Sequence, residues 1–290
     1  MVLRESVSSK EVRCSRTTTD VLEDLQPGVG RGTPLRLHTD HALSVYVREF
    51  YPQSGCVLDV GCGSGGYSWY FEQGEAGMYV GLDITARRFP ELSSLRPARC
   101  VRRFVRGNAM GLPFEEGQFD FAIAIHSFEH IPDDEIVLRE IARVLKKGGC
   151  VFVVAPSVWG LRCLYERSHG YRGYEPRRYS TLAAAVPSLE IVELVALGGL
   201  ASFLYQAVTF NSQRVRYLVK RAKRALARWL SYEIEEDERV SKPLEHNSHA
   251  QERHTRHLVW CSKIDWVLRG VHVPLGQGAL LRKSGDGCTC

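Results

Sequence analysis

What the chain lacks narrows its class before any motif is read. No two of its nine cysteines are spaced C-x-x-C, the arrangement that marks many zinc ribbons and thiol–disulfide redox centres. Six of them, Cys56, Cys62, Cys100, Cys150, Cys163 and Cys261, lie in or beside apolar runs or glycine loops, where a free thiol packs as a small hydrophobe. A disulfide framework and a structural zinc are therefore not expected, and the thiols suit a reducing compartment. Residues 1–32 contain no apolar signal core, so a cytoplasmic setting is expected. The longest apolar, uncharged stretch, Leu194–Phe210, is interrupted by Gly198 and Gly199 and carries Gln206. It is marginal against the ~20 residues that a bilayer span needs and predicts a buried strand followed by a helix. A strong charge imbalance is missing too. The formal net charge is +5, which by itself does not argue for nucleic acid.

What is present is a globular composition, 44% hydrophobic and 24% charged, in which strand and helix signals alternate. Residues 1–32, rich in Ser, Thr and Gly, read as a flexible lead-in. A core domain is expected over 33–205. Within it, a helix over Leu35–Tyr51 has Leu37, Ala42, Val45, Val47 and Phe50 as its apolar members. Strands are expected at Cys56–Val60, Met78–Asp83, Arg102–Val105, Phe119–Ile125, Cys150–Ala155 and Leu189–Leu197. Short helices are expected at Tyr67–Gln73 and at Ala86–Leu95, the latter opened by Thr85. The clearest helix pattern is Asp133–Lys147, with acids in its first turn, Lys146 and Lys147 in its last, and Gly148–Gly149 ending it. The alternation pauses over 206–272, read as a helical insertion, and 273–290 supplies a last strand at Ala279–Arg282 and a tail. This order implies a doubly wound, mostly parallel, seven-stranded α/β sheet with right-handed crossovers.

In such a sheet the ligand site lies past the carboxyl ends of the strands, where the strand order reverses. The first strand runs into Asp59-Val60-Gly61-Cys62-Gly63-Ser64-Gly65-Gly66, a turn whose glycines let the backbone approach a ligand closely. Gly61, Gly63 and Gly66 also satisfy the dinucleotide spacing G-x-G-x-x-G, and Asp83 follows about 20 residues on. The turn alone therefore leaves the cofactor open between a dinucleotide and an adenosyl sulfonium. Asp59 favours the second, because an acid beside the turn repels a pyrophosphate and attracts an ammonium or sulfonium.

Val57-Leu58-Asp59-Val60-Gly61-Cys62-Gly63-Ser64-Gly65 resembles the first motif of class I S-adenosylmethionine-dependent methyltransferases, in the subgroup of the ubiquinone and menaquinone biosynthesis enzymes. Gly107-Asn108-Ala109-Met110-Gly111-Leu112-Pro113-Phe114 with Phe119-Asp120, then His126-Ser127-Phe128-Glu129-His130-Ile131, then Leu145-Lys146-Lys147-Gly148-Gly149 resemble later motifs of that family, in order. The resemblance implies a Rossmann-like methyltransferase fold with S-adenosylmethionine as methyl donor. It assigns the cofactor site to Asp59, Gly61, Cys62, Gly63 and Gly65 at the turn. Asp83, with Ile84 beside it, would hold the ribose hydroxyls, Asn108 and Ala109 would flank the adenine, and His126 and Ser127 would line the floor. Where the family often has an acid, this chain has Asn108, whose carbonyl can still accept. No catalytic residue is assigned. His130 is a candidate general base, or else a structural histidine. Methyl transfer chiefly demands alignment, so the lack of an obvious base does not weigh against it.

Within the insertion, Arg214–Arg228 carries seven basic residues and no acid, and five acids follow between Glu233 and Glu238. Val215, Leu218, Val219, Ala222, Leu226, Trp229 and Leu230 recur at helical spacing. A cap helix with a solvated cationic side explains the pattern. So does a helix over 214–230 resting on an anionic membrane, the enzyme then being peripheral to the inner face. RNA docking is disfavoured by the absence of a recognisable RNA-binding module. His246, His249, His254 and His257 lack the cysteine or acid partners of a metal site, so no metal is expected. Arg172, Arg177 and Arg178, with Tyr171, Tyr174 and Tyr179, are expected either to contact an anionic or glycosidic acceptor or to stabilise a turn through cation–π pairs. The reading is methyl transfer to a small-molecule or lipid- or glycan-linked acceptor, on O, N or C. An RNA or protein methyltransferase, or a non-catalytic cofactor-binding protein, is the alternative.

Overall fold

The structure is a computed structural model that describes residues 33–52, 54–71, 77–89, 100–158, 172–207 and 274–285, with positions 261 and 264. The first helix, α1 (Pro34–Phe50), starts where the sequence dictates. Proline occupies its first turn, and Thr33 Oγ1 accepts from Arg36 N at 3.3 Å. There follow β1 (Cys56–Val60), β2 (Met78–Asp83), β3 (Val101–Arg106), β4 (Phe119–Ile125), α2 (Asp134–Val144), β5 (Leu145–Pro156), α3 (Pro176–Ala185), β6 (Leu189–Leu197) and β7 (Gly276–Lys283). The seven strands form one sheet in the order β3-β2-β1-β4-β5-β7-β6. β1 to β5 pair in parallel, and β7 runs antiparallel between β5 and β6.

Side-chain parity builds the two layers. On β4, Phe121, Ile123 and Ile125 pack with Leu43 and Tyr46 of α1, while Ala122 and Ala124 face Val137, Leu138 and Ile141 of α2. The small alanines let α2 approach the sheet closely. The same parity puts Asp59 on the α1 face of β1, beside Tyr79.

Several expected elements change. The core face of α1 is Leu35, Leu37, Ala42, Leu43 and Tyr46, whereas Val45, Val47 and Phe50 are only half-buried. In place of the helix at Tyr67–Gln73 there is a 3₁₀ turn at Ser68–Phe71, and in place of the one at Ala86–Leu95 a 3₁₀ turn at Ala86–Arg88, capped by Thr85; residues 72–76 and 90–99 lie outside the described residues. α2 stops at Val144 rather than Lys147. Leu145 already pairs with Phe119, and Lys146 Nζ reaches Asp120 Oδ2 at 2.8 Å, so sheet pairing outcompetes another helical turn. α3 was not foreseen. The strand and helix expected over Leu194–Phe210 are present as β6 and helical backbone at 200–207. No helix among the described residues is long and apolar enough to cross a membrane. The chain leaves the sheet after β6 and re-enters at β7; the basic segment 214–230 and the four histidines in between lie outside the described residues.

Candidate functional site

The strand order reverses between β1 and β4, so the turns that follow these two strands open side by side. The turn after β1 is locked to β2. Gly61 N and Cys62 N both donate to Leu82 O, at 2.7 and 3.0 Å. Gly61 has φ +79°, and a Cβ there would lie 2.5 Å from the Ser127 Cβ. Only glycine satisfies both demands. Gly63 has φ +54° but differs: a Cβ there would meet nothing within 4 Å. Its backbone borders open space that a ligand can use.

Asp83, at the end of β2, closes the other side. Its Oδ2 accepts from Gly63 N and its Oδ1 from Thr85 N, each at 3.0 Å. Each carboxylate oxygen has about two acceptor positions, so one on each remains for a pair of ligand hydroxyls. Ile84 is 70% exposed. Gly107 N donates to Asp83 O at 2.9 Å, which places Asn108 and Ala109 beside Asp83. Asn108 Oδ1 accepts from Met110 N at 3.0 Å, so part of its accepting capacity goes to its own turn. The arrangement thus brings together the turn, Asp83, Ile84, Asn108 and Ala109, with His126 and Ser127 at the end of β4.

Residues that sequence reasoning passed over complete the site. Arg36 Nε pairs with Asp40 Oδ1 at 2.8 Å, and its guanidinium lies 4.0 Å over the Tyr67 ring. Its Nη2 is 4.0 Å from the Cβ position of Gly66, so α1 holds a cation against the glycine turn. Burial pushes Asp40 up to about 6 against the pull of Arg36, and His126 also acts on it. The available signal was an i, i+4 Arg–Asp pair on an otherwise apolar helix face. Glu129 is the other omission. It is fully buried, with His126 Nδ1 at 3.6 Å and His130 Nε2 at 4.0 Å from its Oε1.

Asp59 lies beneath the turn, 1% exposed, accepting from the Tyr79 hydroxyl. Burial pushes its pKa up to about 7, while the Tyr79 hydrogen bond and Arg36 pull it back. The folded protein therefore binds a proton here that the unfolded chain releases near pH 4. This contribution to stability falls as pH rises from about 4 to 7, with a limiting slope of about 1.4 kcal/mol per pH unit. Relative to the parent, Asp59→Asn is expected to gain stability across that window in urea unfolding. Parallel stability–pH curves would refute the assignment.

The cluster after β5 corrects an expectation. Arg172 and Arg178 are both held by Asp134, the first helical residue of α2, and not by an aromatic ring among the described residues. Tyr174 OH also donates to Asp134, at 2.6 Å, and Tyr179 OH donates to Gln277 O at 2.8 Å. A buried acid recruits these donors because it cannot be left unpaired. Arg177 is not part of this network, and Tyr171 lies outside the described residues.

A mostly parallel seven-stranded sheet with its last strand reversed and a glycine turn at the switch point make this a Rossmann-like α/β fold. Residues 58–153 match the family described as a methyltransferase domain. A demethylmenaquinone methyltransferase of Bacillus licheniformis is 32% identical over 119 residues, 39% of this chain and 51% of that protein. A 2-methyl-6-phytyl-1,4-hydroquinone methyltransferase of Synechocystis is 32% identical over 102 residues, 35% of this chain and 32% of that protein. The chain thus spans about half or less of the curated relatives it matches. The cyclase SpnF shares the fold at 17% identity, with a TM-score of 0.51 over 89% of this chain and 84% of that one. The fold alone does not set the reaction.

Proposed function

We propose that this chain transfers the methyl group of S-adenosylmethionine to a small-molecule acceptor. The observation that carries the proposal is Asp83, fixed by Gly63 N and Thr85 N beside the open face of Gly63. Its remaining acceptor positions suit a ribose diol. The exposed apolar surface of Ile84 suits a flat base, flanked by Asn108 and Ala109. Arg36 places a cation beside the turn where the carboxylate of an amino-acid moiety would lie. The bound sulfonium supplies an activated methyl carbon. The protein's task is to align it and to keep water out. The relatives, which by their names act on quinone-type rings, support a phenolic or hydroquinone acceptor.

The test is calorimetric titration of the full chain with S-adenosylmethionine, S-adenosylhomocysteine and NAD, for the parent and for Asp83→Ala. The parent is expected to bind the first two and not NAD. Asp83→Ala is expected to weaken binding by about 1–3 kcal/mol, since the diol loses a charged acceptor and Gly63 its brace. Binding of NAD alone, or unchanged affinity in the variant, would overturn the reading. Incubation with labelled donor and a panel of hydroquinones and phenols then identifies the acceptor by its mass gain.

A further inference from the structure

Resting on that reading, we infer that His126 is the general base for the acceptor and that the buried Glu129 is its positioning residue. The observation is an acid in an unusual state. Glu129 is 0% exposed, and neither of its carboxyl oxygens takes a hydrogen bond from any described residue. Leaving a buried carboxyl so poorly satisfied costs stability; such groups persist where function uses them. The groups that face it are imidazoles, His126 Nδ1 at 3.6 Å and His130 Nε2 at 4.0 Å.

Geometry selects His126. It follows directly on β4 at the switch point, its backbone N–H donating to Val154 O at 2.8 Å, and Ser127 next to it packs under Gly61. Its φ of +54° is the only left-handed value of a non-glycine residue among those described. Strain of this kind is retained where the surroundings fix it for a purpose. With Nδ1 toward Glu129, the ring presents Nε2 on its opposite side. His130 has the reverse orientation, Nε2 toward the acid, and its side chain is the more exposed, 42% against 30%. Of the other titratable groups, Asp40 of α1 lies near His126 and Tyr179 of α3 near Glu129.

At 3.6 Å His126 Nδ1 stops short of a hydrogen bond to Glu129 Oε1, and the pair must close by about 0.7 Å to form one. A carboxylate that then accepts Nδ1–H holds the neutral ring in the tautomer whose Nε2 carries the lone pair. An acceptor hydroxyl or amine gives its proton to that Nε2 as its electron pair forms the bond to the methyl carbon. The carbon–sulfur pair leaves with sulfur, giving the methylated acceptor and S-adenosylhomocysteine. The imidazolium then returns its proton to water, and no other reactant is required.

The experiment uses the full chain with ¹⁵N-labelled histidine, saturated with S-adenosylhomocysteine. Long-range ¹H–¹⁵N correlation reports the tautomer of each ring, and His126→Asn and His130→Gln assign the signals. Asn suits His126 because it tolerates left-handed backbone. His126 is expected as the Nδ1–H tautomer in the parent and to lose that preference in Glu129→Gln, which keeps the size of the side chain. With 2-methyl-1,4-hydroquinone and labelled donor, His126→Asn should lower kcat by about 10²–10⁴-fold. Glu129→Gln should lower it less, and in both variants the loss should fall on kcat more than on KM for S-adenosylmethionine. An Nε2–H tautomer in the parent, a tautomer indifferent to Glu129→Gln, or full turnover by His126→Asn would each overturn the assignment. If the parent binds no S-adenosylhomocysteine, the methyltransferase reading fails instead. The spectrum of the ligand-free protein then still decides the His126–Glu129 contact.

Discussion

Valine at Gly63 is expected to abolish S-adenosylmethionine binding while the sheet stays intact. The position has φ +54°, and a Cβ there would point into open space, not into the protein. The fold therefore meets no clash. It pays only the cost of a left-handed β-branched residue, roughly 1–2 kcal/mol. The ligand meets the isopropyl group in the space it needs, and Gly63 N sits next to the Asp83 carboxylate that is to hold it. Loss of affinity beyond the calorimetric limit, with an unchanged circular dichroism spectrum, is the expected result. Gly61→Val is the contrast. Its Cβ would strike the Ser127 Cβ at 2.5 Å, so it should lower stability as well. If Gly63→Val binds the cofactor like the parent, the turn does not face it.

The second large effect is on stability. Asp134→Ala is expected to cost about 3 kcal/mol in urea unfolding at neutral pH, because it removes the common partner of a buried network. Asp134 accepts from Arg172 Nη1 at 2.8 Å, from Tyr174 OH at 2.6 Å and from Arg178. Without it the buried Tyr174 hydroxyl loses its acid, and two guanidinium groups are left to water they reach only partly. Burial pushes the Asp134 carboxyl up, but the hydrogen bonds from Arg178 and Tyr174 and the charge of Arg172 outweigh it and hold the pKa low. With a depressed folded-state value, this contribution is present above the ordinary carboxylate range, about pH 4, and is lost on further acidification. Asp134→Asn, which can still accept one hydrogen bond, should fall between the two. A loss under about 0.5 kcal/mol for Asp134→Ala would show that the exposed ends of both arginines are already satisfied by solvent.

These predictions draw on different levels of information. The strands β1, β2 and β4, the glycine turn and Asp83 were legible in the sequence, because each depends on local pattern. Apolar runs mark strands buried on both faces, and glycines mark turns where a Cβ is not tolerated. The order of the later motifs singled out Asn108, Ala109, His126 and Ser127, which the fold places at the same ends of the strands as the turn. Elements whose end depends on a distant partner were not legible. α2 stops at Val144 because Leu145 finds Phe119 and Lys146 finds Asp120, contacts that no helix propensity contains. Arg172 and Arg178 looked like acceptor contacts or cation–π partners, because nothing local reveals that Asp134, about 40 residues earlier, is buried and needs them. Arg36 and Glu129 were passed over for the same reason. A charged residue in a helix or loop reads as solvent-facing until the fold shows what covers it. The sequence by itself determined the strands and the glycine turn, through periodicity and backbone sterics acting over a few residues. Only the tertiary structure decided which charges are buried and whom they face, because that depends on which distant segments remove them from water.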